Sequence, residues 1–79
     1  MQRLADNMND QIEAFEEAVS KAGSNIKLAY VLGVSRQRIS DVRTRLNAGK
    51  MVPPGWAQII EKEFGISRSR LRPDLWGAE

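Results

Sequence analysis

The sequence predicts an all-α domain of five short helices, and three observations carry that expectation. Apolar residues recur at i, i+3 and i+4 in successive stretches along the chain. Gly23, Gly33, Gly49 and Gly65 punctuate those stretches, with Pro53-Pro54 and Pro73 as further breaks. Strand signals are weak: Met51-Val52 is the one short candidate, and no second strand pairs with it. Seventy-nine residues make one small domain, with a core just large enough to stand without staples.

The first helix is expected from about Asn9 to Ala22. Residues 1–8 form an N-terminal arm in which Leu4 and Met8, four apart, allow the helix to extend or fray. Ile12, Phe15, Val19 and Ala22 fall on one side of this helix. Glu13, Glu16, Glu17 and Ser20 fall mostly on the other, which reads as the solvated acidic face of a scaffold helix. Acidic residues near the start suit the helix dipole, and Gly23 ends the helix. Ser24 is placed to cap a second helix, Asn25 to Leu32, with Ile26, Leu28, Ala29 and Leu32 as its apolar positions. Gly33 suits a tight exit at positive φ, and Ser35 suits the cap of a third helix, Arg36 to Leu46. Its apolar stripe is Ile39, Val42 and Leu46, and Asn47-Ala48-Gly49 is the stop.

Lys50 to Pro54 reads as a loop. A fourth helix begins at Pro54 or Gly55, since proline is tolerated in a first turn, and runs to Phe64. Trp56, Ile59, Ile60 and Phe64 give it a broad apolar face, so Trp56 is expected in or at the edge of the core. A fifth helix is expected over Ser67 to Leu71, and Pro73 blocks its continuation. The organisation is therefore an arm at 1–8, a domain at 9–72 and a tail at 73–79. In the tail, Leu75-Trp76 is expected to pack back on the domain rather than form a dimer contact.

Composition excludes several kinds of chemistry. The chain has no cysteine and no histidine, so disulfides, thiolate or imidazole metal sites and histidine acid-base catalysis lack their residues. It has no glycine-rich phosphate loop and no evident pair of spaced carboxylates, so an enzyme is not expected, and neither is a cofactor. No apolar run approaches membrane-spanning length, and Met1 precedes no signal-peptide segment; the expectation is a soluble, cytoplasmic protein.

Charge is distributed unevenly. Residues 1–20 carry Arg3 against Asp6, Asp10, Glu13, Glu16 and Glu17, a net −4. Residues 21–52 carry Lys21, Lys27, Arg36, Arg38, Arg43, Arg45 and Lys50 against Asp41, a net +6. The remainder is balanced. A basic block on an otherwise neutral or acidic domain is the footprint of a polyanion partner.

That block coincides with residues 25–46. Two short amphipathic helices around a glycine-containing turn make a helix-turn-helix. Ala29 stands where the helices come closest, Gly33 follows four residues later and Ile39 six after that. With Leu28, Leu32, Val34 and Val42 at the other apolar positions, this spacing resembles the helix-turn-helix of phage repressors and Cro proteins over about twenty residues without a gap. Further pieces, Val52-Pro53-Pro54, Gly65-Ile66-Ser67-Arg68 and Leu71-Arg72-Pro73-Asp74, look like the YdaS-type Cro-like family, over roughly residues 12–77. The chain departs from that pattern in its longer N-terminal arm and in Asp41, where aromatic or uncharged polar residues are frequent.

On a helical wheel of the third helix, Gln37, Asp41 and Thr44 lie opposite the apolar stripe, with Ser40 beside them. Arg36 and Arg43 share one flank, Arg38 and Arg45 the other. A polar strip bracketed by arginines fits a helix in the major groove, with bases facing the strip and phosphates on both sides. Arg36 and Gln37, at the start of the helix, are the first candidates for base reading, joined by Ser40, Asp41 and Thr44. Arginine can bond guanine O6 and N7, and glutamine can bond adenine N6 and N7. Asp41 either accepts from a cytosine N4 amino group, pairs with Arg45 one turn on, or repels phosphate. Ser24, Asn25 and Lys27 surround a helix start suited to phosphate, and Ser35, Arg38, Arg43 and Lys50 complete the candidate phosphate contacts. Arg38, Arg43 and Arg45 also read as a solvated face.

The resemblance and the strip point to one function, a sequence-specific DNA-binding regulator, in the form of a Cro-type repressor of phage or prophage origin. Its expected partner is double-stranded DNA with a palindromic operator, bound by a homodimer. Because members of the resembling family are often labelled antitoxins, a protein partner engaged through the C-terminal region is the alternative. Unburied Leu71, Leu75 and Trp76 would favour it; a docked tail would weaken it.

Overall fold

A computed structural model describes the backbone of residues 3–76 and the side-chain surroundings of residues 10–76. Among them are six helices and no strand: α1 (Arg3–Ala22), α2 (Asn25–Leu32), α3 (Arg36–Asn47), α4 (Pro54–Phe64), α5 (Arg68–Leu71) and α6 (Pro73–Trp76). The all-α expectation holds, with two adjustments. Helix α1 takes in residues 3–8, the extended alternative for the arm; residues 1–2, 77–79 and the side chains of Leu4 and Met8 lie outside the described residues. The tail is not merely a break after α5. Pro73 starts a sixth helical turn, because the N–H that proline lacks has no intrahelical partner at a first helical position anyway. The N–H groups of Leu75 and Trp76 both donate to the Arg72 carbonyl at 3.0 Å.

Helix α1 is the spine on which α2, α3, α4 and α5 pack. Its buried face is Gln11, Ala14, Phe15 and Ala18, with Ile12, Val19 and Ala22 half-buried beside it. Ala14 and Ala18, fully buried, let neighbouring helices approach closely, and Phe15 fills the centre. The Phe15 ring stacks on Trp56 of α4 with centroids 6.2 Å apart and planes 16° from parallel, so Trp56 is a core residue as expected. Leu28, Ala29 and Leu32 of α2, Ile39, Val42 and Leu46 of α3, Val52, Ala57, Ile60, Ile66 and Leu71 complete one continuous core.

The turn that orients α3 is set by local chemistry. Ser24 accepts from the Lys27 N–H at 3.2 Å, and Ser35 accepts from the Arg38 N–H at 3.1 Å, each capping the helix it precedes. Gly33 takes φ +73°. Its N–H donates to the Tyr30 carbonyl and that of Val34 to the Ala29 carbonyl, the paired bonds of a Schellman motif. The same pattern ends α3, where Gly49 at φ +89° is followed by a bond from the Lys50 N–H to the Arg45 carbonyl at 2.8 Å.

Three arginines fasten the C-terminal elements. Arg70 reaches back to α1, donating to Asp10 at 3.0 Å and Glu17 at 2.9 Å. Arg72, mostly buried, holds Asp74 through two bonds of 2.9 and 2.6 Å and donates a third, 2.8 Å long, to the Val52 carbonyl in the loop after α3. Arg68 lies 4.9 Å over the Trp76 ring and beside Glu61. Leu71 is fully buried and Trp76 half-buried, so the tail is docked through α6, with Leu75 left exposed.

Candidate nucleic-acid interface

The α3 helix presents two faces, divided as its sequence pattern requires. Ile39, Val42 and Leu46 are at most 3% exposed. On the far side Gln37, Asp41 and Thr44 are exposed, and Ser40 is half-buried at the edge of the strip. Arg36, Arg38 and Arg45 are exposed and enter no ion pair among the described residues. These side chains project from a rigid helix fixed at both ends, one by the Ser35 cap and the other by the Gly49 turn.

Within the strip, Asp41 does not pair with Arg45. Its Oδ1 accepts from Gln37 Nε2 at 3.2 Å, one helical turn back. The two residues therefore form one unit rather than two independent hydrogen-bonding groups.

Arg43 is placed differently from a free phosphate contact. On the wheel it lies nearer the core stripe than Arg36 does, and it meets α1 there. Its Nε donates to Glu16 Oε2 at 2.8 Å, its Nη2 to Glu16 Oε1 at 2.6 Å, and its Nη1 to Asn25 Oδ1 at 2.9 Å. This guanidinium ties three helices together at one point. Asn25 is correspondingly engaged through its side-chain oxygen, although its place at the start of α2 is as expected. The acidic side of α1 is thus not simply solvated: Glu16 holds Arg43 while Asp10 and Glu17 hold Arg70.

Of the remaining candidates, Ser24 and Ser35 spend their side-chain oxygens on helix caps. The exposed Lys27 folds its stem over Gly23, with Cδ 3.1 Å from where a β-carbon on that glycine would sit. Lys50 is exposed directly after the α3 stop. The clamp carboxylate Glu16 was not identified by the sequence pattern. It stands 27 residues from Arg43, and the one trace of it is the opposed charge of the first two chain segments. No described helix is long and apolar enough to cross a membrane.

No curated protein and no solved structure matches the chain. One protein family does, over residues 15–79, a span that begins at the central phenylalanine of α1 and covers the helix-turn-helix and all the elements after it. The family is described as "Bacterial toxin YdaS" and is phage-associated and helix-turn-helix-like. On that match the chain belongs to the YdaS family.

Proposed function

We propose that this protein is a sequence-specific DNA-binding regulator, a Cro-type repressor in form, that reads the major groove with α3. The observation that carries the reading is the division of α3 into a fully packed face and a polar strip flanked by uncommitted Arg36, Arg38 and Arg45. Arg36 and Gln37 are the primary base readers, with Ser40 and Thr44 further along the groove. Arg38, Arg45, Lys27 and Lys50 supply positive charge for phosphates, and the start of α2 adds backbone N–H groups. Neither catalysis nor a cofactor is needed. A two-fold dimer on a palindrome is the expected bound form, because one helix in one half-site gives little specificity.

Selection from a randomised duplex library tests this directly. An enriched two-fold motif supports the reading, with its spacing giving the dimer geometry. Recovery of random sequence at low salt, and of nothing at higher salt, defeats it.

The family's description favours a second reading, in which the chain is a toxin acting on a cellular target. The two separate in a growth assay. If Gln37→Ala abolishes growth arrest on expression, toxicity runs through DNA; if arrest persists while operator binding is lost, another target is engaged. An antitoxin grip through the C-terminal region has less support, since Leu71 is fully buried and Trp76 is packed under Arg68.

A further inference from the structure

We propose that Asp41 is a positioning residue that fixes the orientation of the Gln37 amide and thereby biases this side chain toward adenine and against guanine. The inference rests on the reading of α3 as the groove-facing helix, and it assigns Asp41 a role through Gln37 rather than a base contact of its own.

Chemistry forces the orientation. An ionised carboxylate has acceptors only, so the Gln37 group that faces Asp41 Oδ1 at 3.2 Å must be its NH2. Left alone, a primary amide on an exposed helix can turn over, exchanging Oε1 and Nε2 at its outer edge. With one N–H held by Asp41, the amide keeps Oε1 and its second N–H for a partner beyond the helix.

An outward pair of one acceptor and one donor complements adenine, whose N6 amino group donates and whose N7 accepts. Guanine presents two acceptors, O6 and N7. A turned-over amide would offer it NH2 more fully, but Asp41 has claimed that group, and its negative charge faces guanine's acceptors unfavourably. Both surroundings and geometry point the same way. Gln37 and Asp41 are exposed and share the strip opposite Ile39, Val42 and Leu46, and their side chains have no other hydrogen-bond partner among the described residues.

The test uses the full chain and duplexes carrying each of the four base pairs in turn at every position of the motif enriched from a randomised library. Wild type, Gln37→Ala, Asp41→Asn and the double variant are compared. Wild type should prefer adenine to guanine at one position per half-site by about five-fold or more, the lower bound for a good bidentate contact. Asp41→Asn, whose amide can donate as well as accept, should let Gln37 turn over and shrink that ratio several-fold while leaving other positions unchanged. In the Gln37→Ala background, Asp41→Asn should no longer alter any ratio. In DNA-free protein, Asp41→Asn should shift the Gln37 side-chain amide resonances.

If Asp41→Asn strengthens binding to all sequences by one common factor, Asp41 acts only as a charge and the inference fails. If its effect on base preference survives in Gln37→Ala, it touches a base itself and the inference fails equally. A Gln37→Ala protein with unaltered preference at every base pair would instead remove the groove reading itself, and this inference with it.

Discussion

Glu16 and Arg43 are joined at two points across 27 residues of sequence, and the remaining guanidinium nitrogen is given to Asn25. An arginine of α3 is therefore committed to contacts within the domain before any ligand arrives. Arg43→Ala should mainly lower thermal stability, by at most about 1 kcal/mol for a pair this exposed, and leave the salt dependence of DNA binding close to wild type. Lys50→Ala should leave stability alone and reduce the slope of log affinity against log salt by about 0.9, the value for one lost phosphate contact on duplex DNA. Glu16→Gln frees Arg43 and should steepen the slope. Titrations of a random-sequence duplex at several salt concentrations read all three. A flat salt response in the wild type would mean the basic surface does not face DNA.

Gln37 and Ile39 stand two residues apart on opposite faces of α3. Gln37→Ala should weaken binding to the selected site by roughly 1–3 kcal/mol and leave random DNA unaffected, because no charge is removed. Ile39→Ala empties a fully buried position and should cost about 2–5 kcal/mol of folding stability, lowering both kinds of binding together. Denaturation curves alongside anisotropy titrations separate the two.

Gly33 gives a clean test of the turn, since a β-carbon there meets nothing within 4 Å and the backbone is left-handed at φ +73°. Gly33→Ala should destabilise by about 1–2 kcal/mol through backbone strain alone. Gly33→Asn should cost less, because asparagine tolerates this region better. Equal losses for both in thermal melts would contradict a purely conformational penalty.

Asp74 is held below the usual carboxylate range chiefly by its hydrogen bonds from Arg72; burial opposes this, and the charge of Arg72 and backbone N–H groups add smaller effects in the same direction as the hydrogen bonds. A carboxylate depressed in the folded state adds stability above its unfolded pKa. That contribution disappears as pH falls through the folded value, so it fades on the acid side of the ordinary carboxylate range. Asp74→Asn should reduce stability at neutral pH and flatten its decline in acid. Trp76 fluorescence in acid titrations should report the local loosening of α6.

Much of this architecture is legible in sequence because its determinants are local. Ser24, Ser35, Gly33 and Gly65 each act on the turn in which they sit, and the α2, α3 and α4 boundaries follow from them. The α3 stripe is equally local, being a matter of spacing. The α1 core face was less clear, since Ala14 and Ala18 are buried for their smallness, which leaves little trace in a hydrophobic pattern. Pairings between distant charges were not legible at all. Nothing near Arg43 or Arg70 in sequence singles out Glu16, Asp10 or Glu17, so arginines that look alike on the wheel differ in what they are free to hold. The link between Gln37 and Asp41 has the i, i+4 spacing of a helical pair, but Arg45 competes at the same spacing and carries the charge, so spacing alone favours the wrong partner.

The clasp between Arg70 and the acidic side of α1 spans 60 residues to Asp10 and 53 to Glu17, and Leu71 beside it is fully buried in the core. During synthesis on the ribosome the helix-turn-helix emerges well before those residues do. The nascent chain thus presents its basic helices ahead of the segment that locks the spine beneath them. Completion of the fold waits on synthesis of that segment, and a chain truncated before residue 70 should be prone to degradation rather than form a smaller working domain.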